Sequence, residues 1–309
     1  MNILITGFSG HIGSFFLKKF ISNKKINKIY LFDNFENNRL NTIFLKKNLK
    51  KCFLKVGDLS KKNSLKNFPK VDTVIHLASL TNASSSLNNY RKYYDNNYLS
   101  FLNVCNYCKK NKSNLIHISS TSVYGSNKKF VDENCTDLIP QSPYAKIKLD
   151  EESFLKKNGK NIKYVTLRFG TIAGISEGIR FHTAINKFCF NTVMKLEIPV
   201  WRTALEQYRP YLSLNDAYKA VNAIVTKNEY NREKYNILSQ NHTVSQILNF
   251  IKSNKYNIKI KLTKSKIMNQ LSYKVSKKKF EEKYIKLNRN IGLDIKETLN
   301  LFKNLKTIK

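Results

Sequence analysis

Short apolar, β-branched runs recur along the first half of the chain: NILIT (2–6), KIYLF (28–32), CFLKV (52–56), DTVIHL (72–77), NLIHIS (114–119) and KYVTLR (163–168). They read as continuously apolar rather than alternating, the mark of strands covered on both faces. Between them, HIGSFFLKKF (11–20) and NYLSFLNVCNYCKK (97–110) carry apolar residues at helical spacing. Strand and helix alternate, so the pattern predicts a parallel sheet with helices on both sides. Near residue 170 the rhythm breaks. A glycine-containing loop follows, then a helix-like stretch over 184–195, an apolar run at 235–238 and a lysine-rich tail. No internal repeat and no linker-like composition separates the two parts. The later residues are therefore expected to form a smaller lobe woven onto the first unit. A length of 309 residues, 41% of them apolar, suits one large α/β unit with an appended lobe.

GFSGHIG begins right after the first strand, with Gly7, Gly10 and Gly13 spaced G-x-x-G-x-x-G. Glycine in such a turn lets the backbone approach a pyrophosphate and aims the free N–H groups of the next helix at it. Asp33 follows Gly13 by twenty residues, at the end of a strand. A carboxylate there accepts hydrogen bonds from both adenosine ribose hydroxyls and repels a 2′-phosphate, favouring NAD over NADP. Arg39 is near enough in sequence to weaken that preference. A strand before the glycines, a helix after them and an acid at this distance predict a dinucleotide site. His11 and Ile12 of the loop, Asn34 beside Asp33, and Leu77, Ala78 and Ser79 at the end of the fourth strand are expected around the cofactor. Asp58 is expected at the adenine amino group, with Leu59 as a wall. His76, in an apolar run, reads as a packed core histidine. The fold class is α/β, a doubly wound Rossmann sheet with a C-terminal α+β lobe. Residues 1–168 form the NAD-binding domain, with parts of 209–238 returning to it, and 169–309 mainly a substrate lobe.

SPYAKIK (142–148) places Tyr144 and Lys148 four residues apart, on one face of a helix. Ser142 and Pro143 read as N-cap and first helical residue, which puts Tyr144 near the positive end of the helix dipole.

Together, GFSGHIG, SSTSVYG (119–125) and YAKIK (144–148) resemble the extended short-chain dehydrogenase/reductase superfamily, in its nucleotide-sugar epimerase/dehydratase branch. RPYLSLNDA (209–217) and SYKVSKKKF (272–280) are similar to later segments of that branch, so the resemblance spans nearly the whole chain. It implies an NAD-dependent enzyme. Tyr144 would be the base, Ser120 a hydroxyl donor to the same substrate oxygen, Lys148 the partner of Tyr144 and of the nicotinamide ribose, and Asn97 their support. A tyrosine working near neutral pH has to fall by about 3 units, roughly 4 kcal/mol. Lys148, the helix dipole and the NAD⁺ charge are expected to supply that shift.

The resemblance also narrows the reaction. Sugar dehydratases carry an Asp-Glu pair after the active hydroxyl, whereas Thr121 and Ser122 stand here. Small neutral residues are what C4 epimerases show. A sugar 4-dehydrogenase or ketoreductase would need the same groups. In LRFGTIAG (167–174), Gly170 and Thr171 replace a Phe-Asn pair of many epimerases, and Thr81 stands where galactose epimerases carry a lysine. The stretch 175–188 is expected to line the sugar-nucleotide pocket. Arg209 is expected to clamp the diphosphate, with Arg180 and Asn186 as helpers or surface residues. His182 could face the pocket or a solvated loop. Trp201 could stack on the base or bury a lobe interface. A homodimer through helices around 97–110 and 144–157 is implied by resemblance alone.

Charge and cysteines change little. Lysine and arginine total 55 against 21 acids, formally +34, but the lysines occur in every segment, as a composition-wide bias would place them. The same field would attract RNA, so a nucleotide-sensing or RNA-binding protein on this fold is the competing class. An intact Ser120, Tyr144 and Lys148 set speaks against it, and nucleic acid is not the expected partner. Five scattered cysteines suggest reduced thiols in a cytosol, with no signal segment and no membrane span expected. Cys105 and Cys108 fall inside a predicted helix and read as core packing; no metal is expected.

Overall fold

A computed structural model of the chain describes residues 1–36, 49–125, 130–181, 183–263 and 272–305. Arg39 and His182 lie outside them. In chain order the elements begin β1 (Asn2–Thr6), α1 (His11–Ile21), β2 (Lys28–Asp33), β3 (Cys52–Val56), β4 (Thr73–His76), α2 (Ala83–Ser86), α3 (Tyr90–Asn111) and β5 (Asn114–Ser120). Next come β6 (Phe130–Val131), α4 (Pro143–Asn158), β7 (Tyr164–Phe169), β8 (Thr171–Ala173), α5 (Ala184–Val193), β9 (Ile198–Trp201), β10 (Tyr208–Ser213) and α6 (Leu214–Lys227). The chain closes with β11 (Lys234–Ile237), β12 (Gln240–Thr243), α7 (Val244–Ser253), β13 (Ile260–Thr263), β14 (Lys274–Val275), α8 (Lys278–Lys283) and α9 (Ile291–Phe302).

Seven strands form one sheet in the order β11-β7-β5-β4-β1-β2-β3, and every pairing in it is parallel. The strand order reverses between β1 and β4, where a doubly wound sheet opens a crevice at the carboxyl ends of its strands. β4 and β7 are buried along their whole length, as continuous apolar runs require. β3 departs from that expectation. It is the edge strand, and Phe53, Leu54 and Val56 are exposed there. Pattern alone could not tell an edge from a centre.

α1 buries Phe16, Leu17 and Phe20 against α6, where Phe20 meets the ring of Tyr218 at 5.1 Å. Residues after 170 build the smaller sheets β12-β10-β8 and β13-β9, and β14 returns to pair with β6 of the first half. A second core gathers there from Ile185, Cys189, Ile198, Ile247 and Ile295. The chain crosses back repeatedly: β11 joins the large sheet, while Leu212 and Ala217 pack in the first core. Cys105 and Cys108 are packed into the core beneath α3.

Candidate active site

The glycine loop joins β1 to α1. Gly7 has φ +68°, and a Cβ there would lie 2.6 Å from the Ala78 nitrogen, so the turn demands glycine. Thr6 Oγ1 accepts from the Leu77 and Ala78 N–H groups at 3.1 and 3.2 Å, fixing the end of β4 beside the loop. Gly10 caps α1 without any side-chain hydrogen bond, which leaves the helix N-terminus to a ligand. Asp33 ends β2, and its Oδ2 accepts from Ser9 N at 3.0 Å and Ser9 Oγ at 2.8 Å. The pocket here is lined by Gly7, Ser9, Gly10, Asp33 and Asn34. Asp58, Leu59, Leu77, Ala78, Ser79 and Arg180 line it too.

Several expected side chains turn elsewhere. His11 directs Nε2 to the Gly174 carbonyl at 3.0 Å, and Ile12 packs on the core. Asn97 is buried, accepting from Leu80 N at 2.7 Å and donating to Leu80 O at 2.9 Å. It steadies the loop after β4, and both of these bonds go to Leu80 rather than to Ser120, Tyr144 or Lys148. His76 is a core histidine: its Nδ1 meets Thr6 Oγ1 at 2.9 Å, and burial pulls its pKa down to about 3.

β5 ends at Ser120 and α4 starts at Pro143. Ser142 caps α4 by accepting from Ala145 N at 3.2 Å, so Tyr144 does sit in the first turn. Tyr144 lies close to the Ser120 hydroxyl and feels the charge of Lys148, and both draw its pKa down. Ser122 donates to Ser120 through both N–H, at 3.2 Å, and Oγ, at 2.8 Å. The sequence led us to expect a phenol held down by cations. In the protein alone, burial pushes Tyr144 up, Lys148 pulls it back, and Glu151 pushes it up again. Lys148 points its Nζ at Glu151 Oε2, 2.8 Å away, and the same oxygen meets His117 Nε2 at 2.8 Å. Reading the sequence missed Glu151 and His117. The i, i+3 spacing of Lys148 and Glu151 was the available signal; the histidine, on another element, had none.

The segment 174–180 closes over the glycine loop. Gly178 N donates to Ser14 Oγ at 3.0 Å, and a Cβ on Gly178 would strike the Gly10 backbone at 2.5 Å. This brings Arg180 into the pocket, donating to the Thr81 hydroxyl. Asn186 is buried and donates to the Arg180 carbonyl at 3.1 Å, holding that backbone. Thr171 is half-buried on β8, opposite Tyr211 of β10. Gly170 before it admits the Pro210 carbonyl, which a Cβ would meet at 2.9 Å. Arg209 is half-buried near Tyr273, whose phenol burial raises and a bond to Thr121 lowers. Trp201 packs on the core of the C-terminal lobe with Ile198 and Val200 and does not line the dinucleotide pocket.

The profile of the NAD dependent epimerase/dehydratase family matches residues 3–237. This chain belongs to that family. A putative UDP-glucose 4-epimerase of Methanocaldococcus jannaschii is 29% identical, over 74% of this chain and 74% of its own length. Protein CapI of Staphylococcus aureus is 30% identical over 74% of this chain and 70% of its own. Among solved structures, the UDP-glucuronic acid 4-epimerase of Bacillus cereus, in complex with UDP-glucuronic acid and NAD, superposes with a TM-score of 0.89. Identity to it is 22%, over 99% of this chain and 100% of that one.

As a member of the epimerase/dehydratase family the chain is an NAD-dependent enzyme of extended short-chain dehydrogenase/reductase type. Its own residues fit the cofactor. The helix terminus free of a side-chain cap suits a pyrophosphate, the Asp33 carboxylate suits a ribose diol, and Leu59 and Ala78 supply apolar walls. Arg180 adds a cation that the motif did not announce. Among the described residues no helix is long and apolar enough to cross a membrane.

Proposed function

We propose that this protein is a nucleotide-sugar 4-epimerase. The reading rests above all on Tyr144, which lies close to Ser120 and within reach of the charges of Lys148 and of Arg180, itself a lining residue of the dinucleotide pocket. When bound, NAD would supply reversible hydride transfer at C4 of the sugar, the redox chemistry an inversion there requires.

The chain's own groups do the rest. Tyr144 takes the proton of the C4 hydroxyl and later returns it. Ser120, oriented by Ser122, donates to the same oxygen. Lys148 stabilises the phenolate and orients the nicotinamide ribose. Asp33 holds the adenosine ribose, Asp58 the adenine, and the backbone of His11, Ile12 and Gly13 the pyrophosphate. On the substrate side, Arg209 and Thr171 face the diphosphate end. Thr81, bonded to Arg180, regains the cation that a lysine provides in galactose epimerases. Thr121, bridged to Tyr273, shapes the sugar end without an acid that could eliminate water. A uridine diphosphate sugar is the substrate class that the similar proteins support.

The test is incubation of the purified protein with UDP-glucose, UDP-N-acetylglucosamine and UDP-glucuronic acid, with products read by chromatography and NADH by absorbance. Conversion of a sugar to its C4 epimer without NADH accumulation is expected. Stoichiometric NADH would instead indicate a 4-dehydrogenase, and no turnover together with salt-sensitive RNA binding would indicate a binding protein.

A further inference from the structure

Lys148, Glu151 and His117 form a closed set beneath the reacting tyrosine. Lys148 is 4% exposed, and Glu151 and His117 are fully enclosed. Glu151 comes from the next turn of α4, His117 from the middle of β5. One carboxylate oxygen takes both partners, the lysine ammonium and the imidazole Nε2, each at 2.8 Å. His117 is itself tethered, with Nδ1 3.3 Å from Thr166 Oγ1 and its ring 5.1 Å from that of Phe101. An ionised carboxylate only accepts, so the imidazole donates to it from Nε2.

We propose that Glu151 is a positioning residue for the reaction: seated by His117, it keeps the buried Lys148 ammonium charged and in place. The proposal rests on the roles of Tyr144 and Lys148 given above. A buried amine without a counter-ion sheds its proton, and a neutral lysine neither stabilises a phenolate nor donates as strongly to a ribose. The surroundings leave this task to Glu151. On α4, Glu152 is engaged by Arg168, through bonds of 2.9 and 2.6 Å. His76 on β4 is kept neutral by burial, and Tyr98 and Cys105 on α3 are pushed up by burial. Arg180 only adds positive charge near Tyr144. Burial likewise works against the charge of Lys148, yet Glu151, then Tyr144, hold its pKa above the ordinary lysine value. Glu151 in turn is held low against its burial by Lys148 and His117. The second oxygen of Glu151, Oε1, is buried without a hydrogen bond among the described residues. The ammonium can pivot between the two oxygens as it reaches for a ribose and keep its counter-ion throughout.

The test compares the wild type with Glu151→Gln and His117→Phe, using protein labelled with ¹⁵N-lysine and the Lys148 Nζ resonance assigned by its loss in Lys148→Met. Wild-type Lys148 is expected to stay an ammonium past pH 10.5. In Glu151→Gln it is expected to lose its proton at least about one unit lower, so that kcat at alkaline pH drops about tenfold with little change in KM for the sugar nucleotide. The alkaline limb of the rate profile should move with the Nζ titration. His117→Phe, which keeps the ion pair, is expected to move both by less, and Glu151→Asp to restore part of the range. An Nζ titration unchanged in Glu151→Gln overturns the proposal, as does a kcat profile that does not follow it. A wild type inactive on every sugar nucleotide, with the Nζ shift present, overturns the assigned reaction instead, because the titration is read without turnover.

Discussion

One wall of the site, the glycine loop, is made of backbone, and another, α4, is made of charge. On the glycine-loop side, the ligand-facing groups are N–H donors of a helix terminus with no side-chain cap, plus one carboxylate held by Ser9. Its shape follows from sterics: Gly7 has no room for a Cβ, and Gly178 lies directly on Gly10. On the α4 side, the buried Lys148 and Glu151 and the partly buried Glu152 occupy neighbouring turns of one helix. Glu152 clasps Arg168, which stacks its guanidinium 4.8 Å from the Tyr124 ring and ties α4 to β7. Glu151 instead turns to Lys148. The two adjacent acids show that a shared helix does not mean a shared task. One ion pair locks the helix to the sheet, and the other governs the charge beside the phenol. A backbone wall is insensitive to pH. A charge wall is not, and burial makes every one of its groups costly to leave unpaired.

The difference can be tested in order of expected effect. Tyr144→Phe removes the proton acceptor alone. Turnover is expected to fall by about 10³-fold or more, of the order that acid–base residues contribute, with NAD affinity and melting temperature nearly unchanged; a parallel loss of NAD binding would mean that the walls are not separable. Glu152→Gln strands the guanidinium of Arg168 in the core. An unfolding free energy lower by about 3–5 kcal/mol is expected from denaturant titration, while the Lys148 protonation range stays where it was. Gly7→Ala pushes a methyl into the Ala78 backbone at positive φ. It is expected to weaken NAD binding, measured by calorimetry, by about 1–3 kcal/mol without moving any pH limb. Asp33→Asn is the mildest. It keeps an acceptor for the ribose but drops the charge, so NAD affinity should fall about tenfold or less and the preference over NADP should narrow.

Some of this was legible before folding and some was not, for reasons visible in particular residues. The strand runs at 2–6 and 52–56 stand as the pattern placed them, and the helix over 97–110 lengthens to Tyr90–Asn111. The glycine loop, Asp33 and the Tyr144–Lys148 spacing were readable because each is a local pattern whose geometry follows from strand, turn and helix periodicity. The side-chain partners of Asn97 and His11, Leu80 and Gly174, could not be read because they come from loops whose course no periodicity encodes. Trp201 stayed open between base stacking and a lobe interface, because an aromatic beside a pocket and an aromatic in a core look alike in sequence. Arg180 looked like an optional helper until the chain brought it 99 residues back onto Thr81.

By itself, the sequence determined the alternating α/β plan, the dinucleotide loop and the face of α4 that carries the tyrosine and lysine. Backbone preferences and hydrophobic period act over a few residues, and a few residues were enough to state them. Only the tertiary structure decided which charges meet: His117 with Glu151 across 34 residues, Arg168 with Glu152 across 16, Arg180 over the glycine loop. Ion pairing in a core depends on distance and on the exclusion of water, and both exist only once the chain has closed around the site.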